Sequence, residues 1–235
     1  MSPPGGVSSI DVRVVGHHTR EHMARRLAAQ FDAHLYLDDG TLGEWENHRR
    51  SLAAPTTAEW LLIVQDDAIP VDDFLTHVAA ALEHRPGDLV SFYLGNSRPP
   101  EWQPAVEDAC ARADELGAAW ITATRLLHGV AIAIPTPAIP ELLAWCRRST
   151  APYDERLGMY WQSVRHRPVF YSWPSLVDHD DGPTVVEHRD GEQRTQPRVA
   201  RRVGVSVSWA TPAVHVELDV GARSYGRRHV QRTRR

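Results

Sequence analysis

The chain has 235 residues, 42% of them apolar and 24% charged, with a net charge of −4. This composition is that of an ordinary globular protein with a sizeable core, one α/β domain or one domain with a tail. The charge excludes an overall basic nucleic-acid binder, and no apolar run is long enough to span a membrane. All 26 basic residues are Arg, which reflects genome composition rather than chemistry. Cys110 and Cys146 lie in Ala-rich, helix-like settings with no metal or disulfide spacing, so buried free thiols are expected. Residues 1–9 lack the pattern of a secretory leader, and a cytoplasmic protein is expected.

The first expected element is a strand over residues 10–16, ending at Gly16 and turning through His17, His18 and Thr19. A helix follows over residues 20–30, with Met23 and Leu27 inward. Such a unit offers its loop, Val15-Gly16-His17, to a nucleotide at the carboxyl end of the strand. One Gly is not the full dinucleotide fingerprint. A second strand over residues 33–37 closes in Asp38-Asp39-Gly40. Asp38 is either an ordinary turn carboxylate or a ribose contact. A helix over residues 42–54 places Trp45, His48, Arg49 and Leu52 near one face.

Residues 60–64, Trp-Leu-Leu-Ile-Val, are five consecutive apolar residues and read as a strand buried on both faces. Gln65 and the adjacent acids Asp66 and Asp67 follow, and Pro70 blocks continuation of a central strand. A helix over residues 71–82 carries Phe74, Leu75, Val78 and Leu82 on one face. The strand therefore delivers two carboxylates to the sheet edge where open α/β folds bind ligands. Two such carboxylates suit a hard divalent cation that also holds a phosphate.

Further strands are expected over residues 88–96, 119–124 and 130–135, with helices over residues 105–117 and 139–147. Trp102, in a Pro-rich loop, either stacks on a sugar ring or anchors the loop. Asp154 and Glu155 open a segment at a helix N-terminus, where acids also answer to the helix dipole. A short strand over residues 169–171 leads through Trp173-Pro174 to Asp178-His179-Asp180-Asp181, residue types that ligate metals. Beyond residue 184 a polar stretch is followed by two alternating runs, 203–209 and 213–220, that read as paired strands. Residues 221–235 hold six Arg and no acid, a basic tail that is disordered or bound to a partner.

Strand, two acids, helix and a later His is the order of a GT-A glycosyltransferase. Leu62-Ile63-Val64-Gln65-Asp66-Asp67-Ala68 resembles the L-E-D-D-A/V signature of the family-25-type lipopolysaccharide and collagen sugar transferases, with Gln65 in place of Glu. Residues 46–51 resemble the His-containing segment before that signature. Pro174-Ser175-Leu176-Val177-Asp178-His179 resembles the family's closing P-S-L-V-x-H. With Ser91-Phe92-Tyr93-Leu94-Gly95 and His128-Gly129-Val130-Ala131, the pattern is similar to small bacteriophage-encoded glycosyltransferases over residues 10–184.

The resemblance implies a fold and a set of roles. The fold is α/β, a GT-A-like domain over residues 1–184 with a mixed, mostly parallel sheet flanked by helices. Residues 185–235 lie outside the resemblance, and the alternating runs there are expected to form an extension with a β-hairpin and the Arg-rich tail. Asp66, Asp67 and His179 would hold Mn²⁺ or Mg²⁺ on the diphosphate of a nucleotide sugar, a UDP-sugar being favoured. Val15, Gly16, His17, Asp38 and Asp66 would contact that donor, with Arg49 or His179 as a fixed positive group. Asp154, or else Glu155, would be the base at the acceptor hydroxyl. The acceptor is a virion protein, a glycan or a modified DNA base; no membrane is involved, and a phage enzyme would act in the host cytoplasm. The competing expectations are a metal-dependent phosphohydrolase or nucleotidyltransferase using the same acids, and a non-catalytic nucleotide-sugar binding module. A nucleotidyltransferase would more often carry a Gly-rich basic loop after its first strand, and Gln65 is the residue that hints at the binding module.

Overall fold

The protein is described by a computed structural model covering residues 9–182 and 197–218. Its centre is an eight-stranded sheet of order β10-β6-β8-β5-β7-β3-β1-β2. The strands are β1 (Ile10–His17), β2 (His34–Asp38), β3 (Trp60–Gln65), β5 (Leu89–Ser91), β6 (Trp120–Ala123), β7 (Ala131–Pro135), β8 (Val169–Ser172) and β10 (Ala213–Val216). Four of the seven pairings are parallel, β1 with β2 and with β3, β5 with β8, and β10 with β6; the other three are antiparallel. The fold is thus α/β with a mixed, mostly parallel sheet. A separate two-stranded ladder joins β4 (Ala68–Pro70) to β9 (Val177–His179).

The apolar run of β3 is buried on both faces because both faces carry helices. Leu61 and Ile63 face one core with Ile132 and Ile134 of β7. Leu62 and Val64 face the other with Ala131 and Ala133, as the two-residue period of a strand requires. The first core is covered by α2 (Glu44–Ala53), α4 (Gln103–Leu116), α5 (Ile139–Cys146) and α6 (Tyr153–Tyr160), through Leu52, Val106, Leu142 and Leu157. The second is covered by α1 (Glu21–Phe31) and α3 (Phe74–Leu82), through Leu27, Phe31, Val78 and Leu82. Cys110 and Cys146 are free and buried, as expected. Among the described residues no helix is long and apolar enough to cross a membrane.

Three expectations are corrected. Residues 203–209 form no strand and no hairpin with the segment after them. Val203, Val205 and Val207 are exposed, so their alternation meets no sheet face, and a single bridge ties Val203 to Ser175. The later run instead enters the main sheet as β10, in parallel register with β6 from Ala213 opposite Trp120 to Val216 opposite Ala123. Residue 184 is therefore no break in the sheet. The expected strand over residues 88–96 is hydrogen-bonded as β5 over only three residues. Beyond it Leu94 N–H turns to Ser175 Oγ (3.0 Å) and Asn96 N–H to the Val199 carbonyl (3.2 Å). The helix expected from residue 71 begins at Phe74, because Val71 N–H donates to the Leu176 carbonyl and Asp73 is left-handed at φ 52°. The polar residues 187–196 and the Arg-rich tail lie outside the described residues.

Candidate active site

The parallel strands β1 and β3 end side by side, and their carboxyl ends build the acidic centre. Asp66 N–H donates to the Val15 carbonyl (3.0 Å). In return His17 N–H donates to Asp66 Oδ2 (2.8 Å). Gly16 makes this approach possible: a Cβ there would lie 2.7 Å from Ala24 Cβ and 3.2 Å from Asp66 Oδ2. A one-turn 3₁₀ helix, His18–Arg20, then swings the Arg20 guanidinium onto both acids, 3.3 Å from Asp66 Oδ1 and hydrogen-bonded to Asp67 Oδ2. Both carboxylates are buried. Burial, with help from the neighbouring Asp67 charge, raises the Asp66 pKa; the His17 amide and Arg20 work against that rise.

His179 reaches this centre across the small ladder, where it stands opposite Ala68. The Pro174–His179 segment is held for that purpose. Ser175 Oγ receives Leu94 N–H, Leu176 N–H donates to the Phe92 carbonyl, and Asp180 N–H donates to the Asp67 carbonyl (2.8 Å). The His179 ring meets the Asp180 carbonyl at Nδ1 (2.7 Å). A carbonyl only accepts, so Nδ1 carries the proton and Nε2 presents its lone pair. That Nε2 lies 3.2 Å from Asp67 Oδ2, and burial lowers the ring's pKa, favouring the neutral form.

Two lone pairs face each other there. About 3 Å is the separation of adjacent ligands around one cation with bonds of about 2.1 Å. Donation of the other ring N–H to a backbone carbonyl is the usual support of a metal-bound His. Asp67 Oδ1 is buried without a hydrogen-bond partner. The donor set therefore fits a hard divalent cation at Asp67 and His179, with Asp66 beside them. Among the described residues, however, no three His, Cys, Asp or Glu side chains already have the mutual spacing of a metal site. Arg20 is the cation paired with the two acids.

A cleft of about 900 Å³ opens over this centre. It brings together Val15, Gly16, His17, Asp38, Asp66, Asp67, His179, Asp154 and Glu155. Asp38 is mainly a turn residue. Burial pushes its carboxyl up, but N–H bonds from Leu42, Gly40 and Gly43 outweigh this and hold it below the usual value. Arg49 does not line the cleft; its guanidinium is bound by Glu46 on the exposed face of α2 (2.5 Å). The guanidinium that stands at the acids is that of Arg20.

Asp154 stands in the first turn of α6, half-buried, with Oδ1 accepting from Glu155 N–H (2.8 Å). Burial, then the nearby Glu44 charge, raises its pKa to about 7. His48 also lines this end of the cleft. Its ring stacks on Tyr153 at 3.6 Å, its Nδ1 bonds to the Glu44 carbonyl (2.8 Å), and burial lowers its pKa to about 4. The ring is therefore neutral, and Nε2 is buried with no partner.

Sequence reasoning missed Arg20, Asn47 and Arg125. Asn47 ties the ends of β1 and β2 by donating to the Gly16 and Tyr36 carbonyls (3.1 and 3.0 Å), leaving Oδ1 buried without a partner. A polar residue on the apolar face of α2 was the signal for Asn47. Arg20 and Arg125 stand among many Arg in the chain and left no signal.

No protein-family model and no curated protein matches this chain.

Proposed function

We propose that the protein is a metal-dependent glycosyltransferase that moves a sugar from a nucleotide-diphosphate sugar, with a UDP-sugar favoured, to an acceptor hydroxyl. The observation that carries this reading is the meeting of the buried Asp66–Asp67 pair with the His179 lone pair at the mouth of the cleft. A phosphohydrolase needs the acids but no second acidic centre for an acceptor, and Asp154 and Glu155 line the same cleft. The GT-A resemblance of the sequence points the same way, with a protein, glycan or modified DNA base as acceptor and a phage enzyme working in the host cytoplasm.

Each residue then has a task. The Val15-Gly16-His17 loop and Asn47 border the nucleotide. Bound Mn²⁺ or Mg²⁺ would neutralise the charge that develops on the leaving diphosphate. Arg20 adds a guanidinium at the same place. In an inverting transfer the acceptor oxygen bonds to the anomeric carbon as the carbon–phosphate oxygen bond breaks. The hydroxyl proton passes to the Asp154 carboxylate, whose pKa of about 7 suits a base near neutrality.

Mass spectrometry of UDP- and GDP-sugars incubated with the protein and Mn²⁺ tests the reading. Slow sugar-nucleotide hydrolysis is expected, and Asp67→Asn should lower it by roughly a hundredfold. Cleavage of free nucleotides instead would make it a phosphohydrolase. A second reading, a non-catalytic binding module, draws support from Arg20 occupying both acids. It requires nucleotide-sugar binding that ignores Mn²⁺, disappears in Arg20→Ala and produces no turnover.

A further inference from the structure

The cleft extends well beyond the acidic centre. Arg125 lines it just after β6. In the sheet β6 lies four places from β3, roughly 19 Å away at about 4.8 Å per strand. The guanidinium has no hydrogen bond or ion pair with any described residue, and its Nε is buried without a partner. The backbone that carries it is fixed. Tyr171 of β8 donates its hydroxyl to the Arg125 carbonyl (2.6 Å) and accepts Leu127 N–H (2.8 Å). The same turn is fastened to the loop that carries Trp102, because His128 Nε2 donates to the Arg98 carbonyl (2.9 Å). Trp102 lines the cleft too, and its indole N–H is buried and unpartnered. A guanidinium on a rigid turn of the cleft, with no ion pair among the described residues, is suited to take an oxyanion.

We propose that Arg125 binds an anionic group on the acceptor, a carboxylate or a phosphate, for which acidic and phosphorylated sugars serve as probes. Calling the anion's owner the acceptor rests on the transferase reading; the anion preference itself does not. Arg125 opens the turn whose other end, Gly129 and Val130, reaches Gln65 beside the acids, with Gln65 N–H donating to the Val130 carbonyl (2.8 Å). Gly158 of α6 packs so closely on the 125–127 turn that a Cβ would lie 2.7 Å from Leu126 N. Asp154 stands one turn earlier on the same helix and lines the same cleft, so an acceptor held at Arg125 would have its hydroxyl near that carboxylate.

Calorimetric titration of the full chain with glucuronic acid, glucose 6-phosphate, glucose and inorganic phosphate tests this, with UDP and Mn²⁺ titrated on the same samples. At least one acidic sugar is expected to bind about tenfold or more tighter than glucose. Arg125→Gln should erase that margin, Arg125→Lys should keep part of it, and both should bind UDP as the parent does. Preference for glucuronic acid identifies a carboxylate, and preference for glucose 6-phosphate a phosphate. Indistinguishable titrations of acidic and neutral sugars, or a margin that survives in Arg125→Gln, overturn the subsite. Inorganic phosphate binding as tightly as glucose 6-phosphate overturns the acceptor assignment. Failure of UDP to bind the parent protein sinks the donor reading alone, because the sugar titrations are scored without it.

Discussion

At the scale of the residue, environment decides what each carboxylate can do. Asp154 and Asp38 carry the same side chain in the same cleft, yet burial and Glu44 lift one to about 7 while three backbone N–H groups hold the other down. Only Asp154 is placed to exchange a proton near neutrality. Asp154→Asn is expected to abolish sugar transfer while leaving donor affinity unchanged. In the parent protein, transfer should rise with pH through about 7 as the carboxyl ionises. Stability runs the opposite way. The folded pKa is raised above the ordinary 3.8, so between about pH 4 and about pH 7 the folded state holds a proton that the unfolded chain has lost. The contribution is complete below about pH 4 and disappears as pH climbs through about 7. Denaturant melts of parent and Asp154→Asn across that window should show the variant gaining relative stability with rising pH; parallel curves would contradict the placement.

At the scale of the element, the carboxyl ends of β1 and β3 are a single construction. Gly16 is the joint, with Ala24 of α1 on one side and the Asp66 carboxylate on the other. Gly16→Ala must push α1 or Asp66 away, and an overpacking cost of about 1–3 kcal/mol is expected. Thermal unfolding measures that cost, and UDP titration should show weakened binding in the same variant. Loss of stability with undiminished UDP affinity would separate the joint from the site.

Much of this element was legible in sequence, because a doubly buried strand writes itself as an unbroken apolar run and its end as a pair of acids. The 203–209 segment was not. Its Val residues alternate as strand residues do, but alternation specifies a face only where a sheet waits to receive it, and these side chains point to solvent. The turn after β6 was equally silent. Nothing local to Arg125 distinguishes it from the other Arg of the chain; its lack of an ion pair among the described residues exists only in three dimensions.

At the scale of the whole molecule, residues 197–218 belong to the main body. β10 extends the sheet beside β6, and Trp209 is buried against Trp120 with ring centroids 5.1 Å apart. The Trp209 carbonyl also accepts the Trp120 indole N–H (2.9 Å). Trp209→Ala should therefore cost about 3–5 kcal/mol in a single cooperative denaturant transition. A mild loss, or a separate early transition, would mark residues 197–218 as an independent appendage. The sequence placed a boundary at 184 because composition changes there; the sheet ignores that change, since edge pairing depends on geometry that composition does not record.

The ladder between β4 and β9 joins positions that lie more than a hundred residues apart along the chain. Asp66 and Asp67 can be seated by β1 and β3 early in synthesis, but the imidazole that faces them arrives only when the chain has been made through position 179. Until then Arg20 is the side-chain cation seen on the two acids among the described residues. A chain that stopped just ahead of Asp178 would hold both acids and Arg20 but not the imidazole that meets them. The order in which the ribosome delivers the parts sets when the imidazole can first meet the two acids.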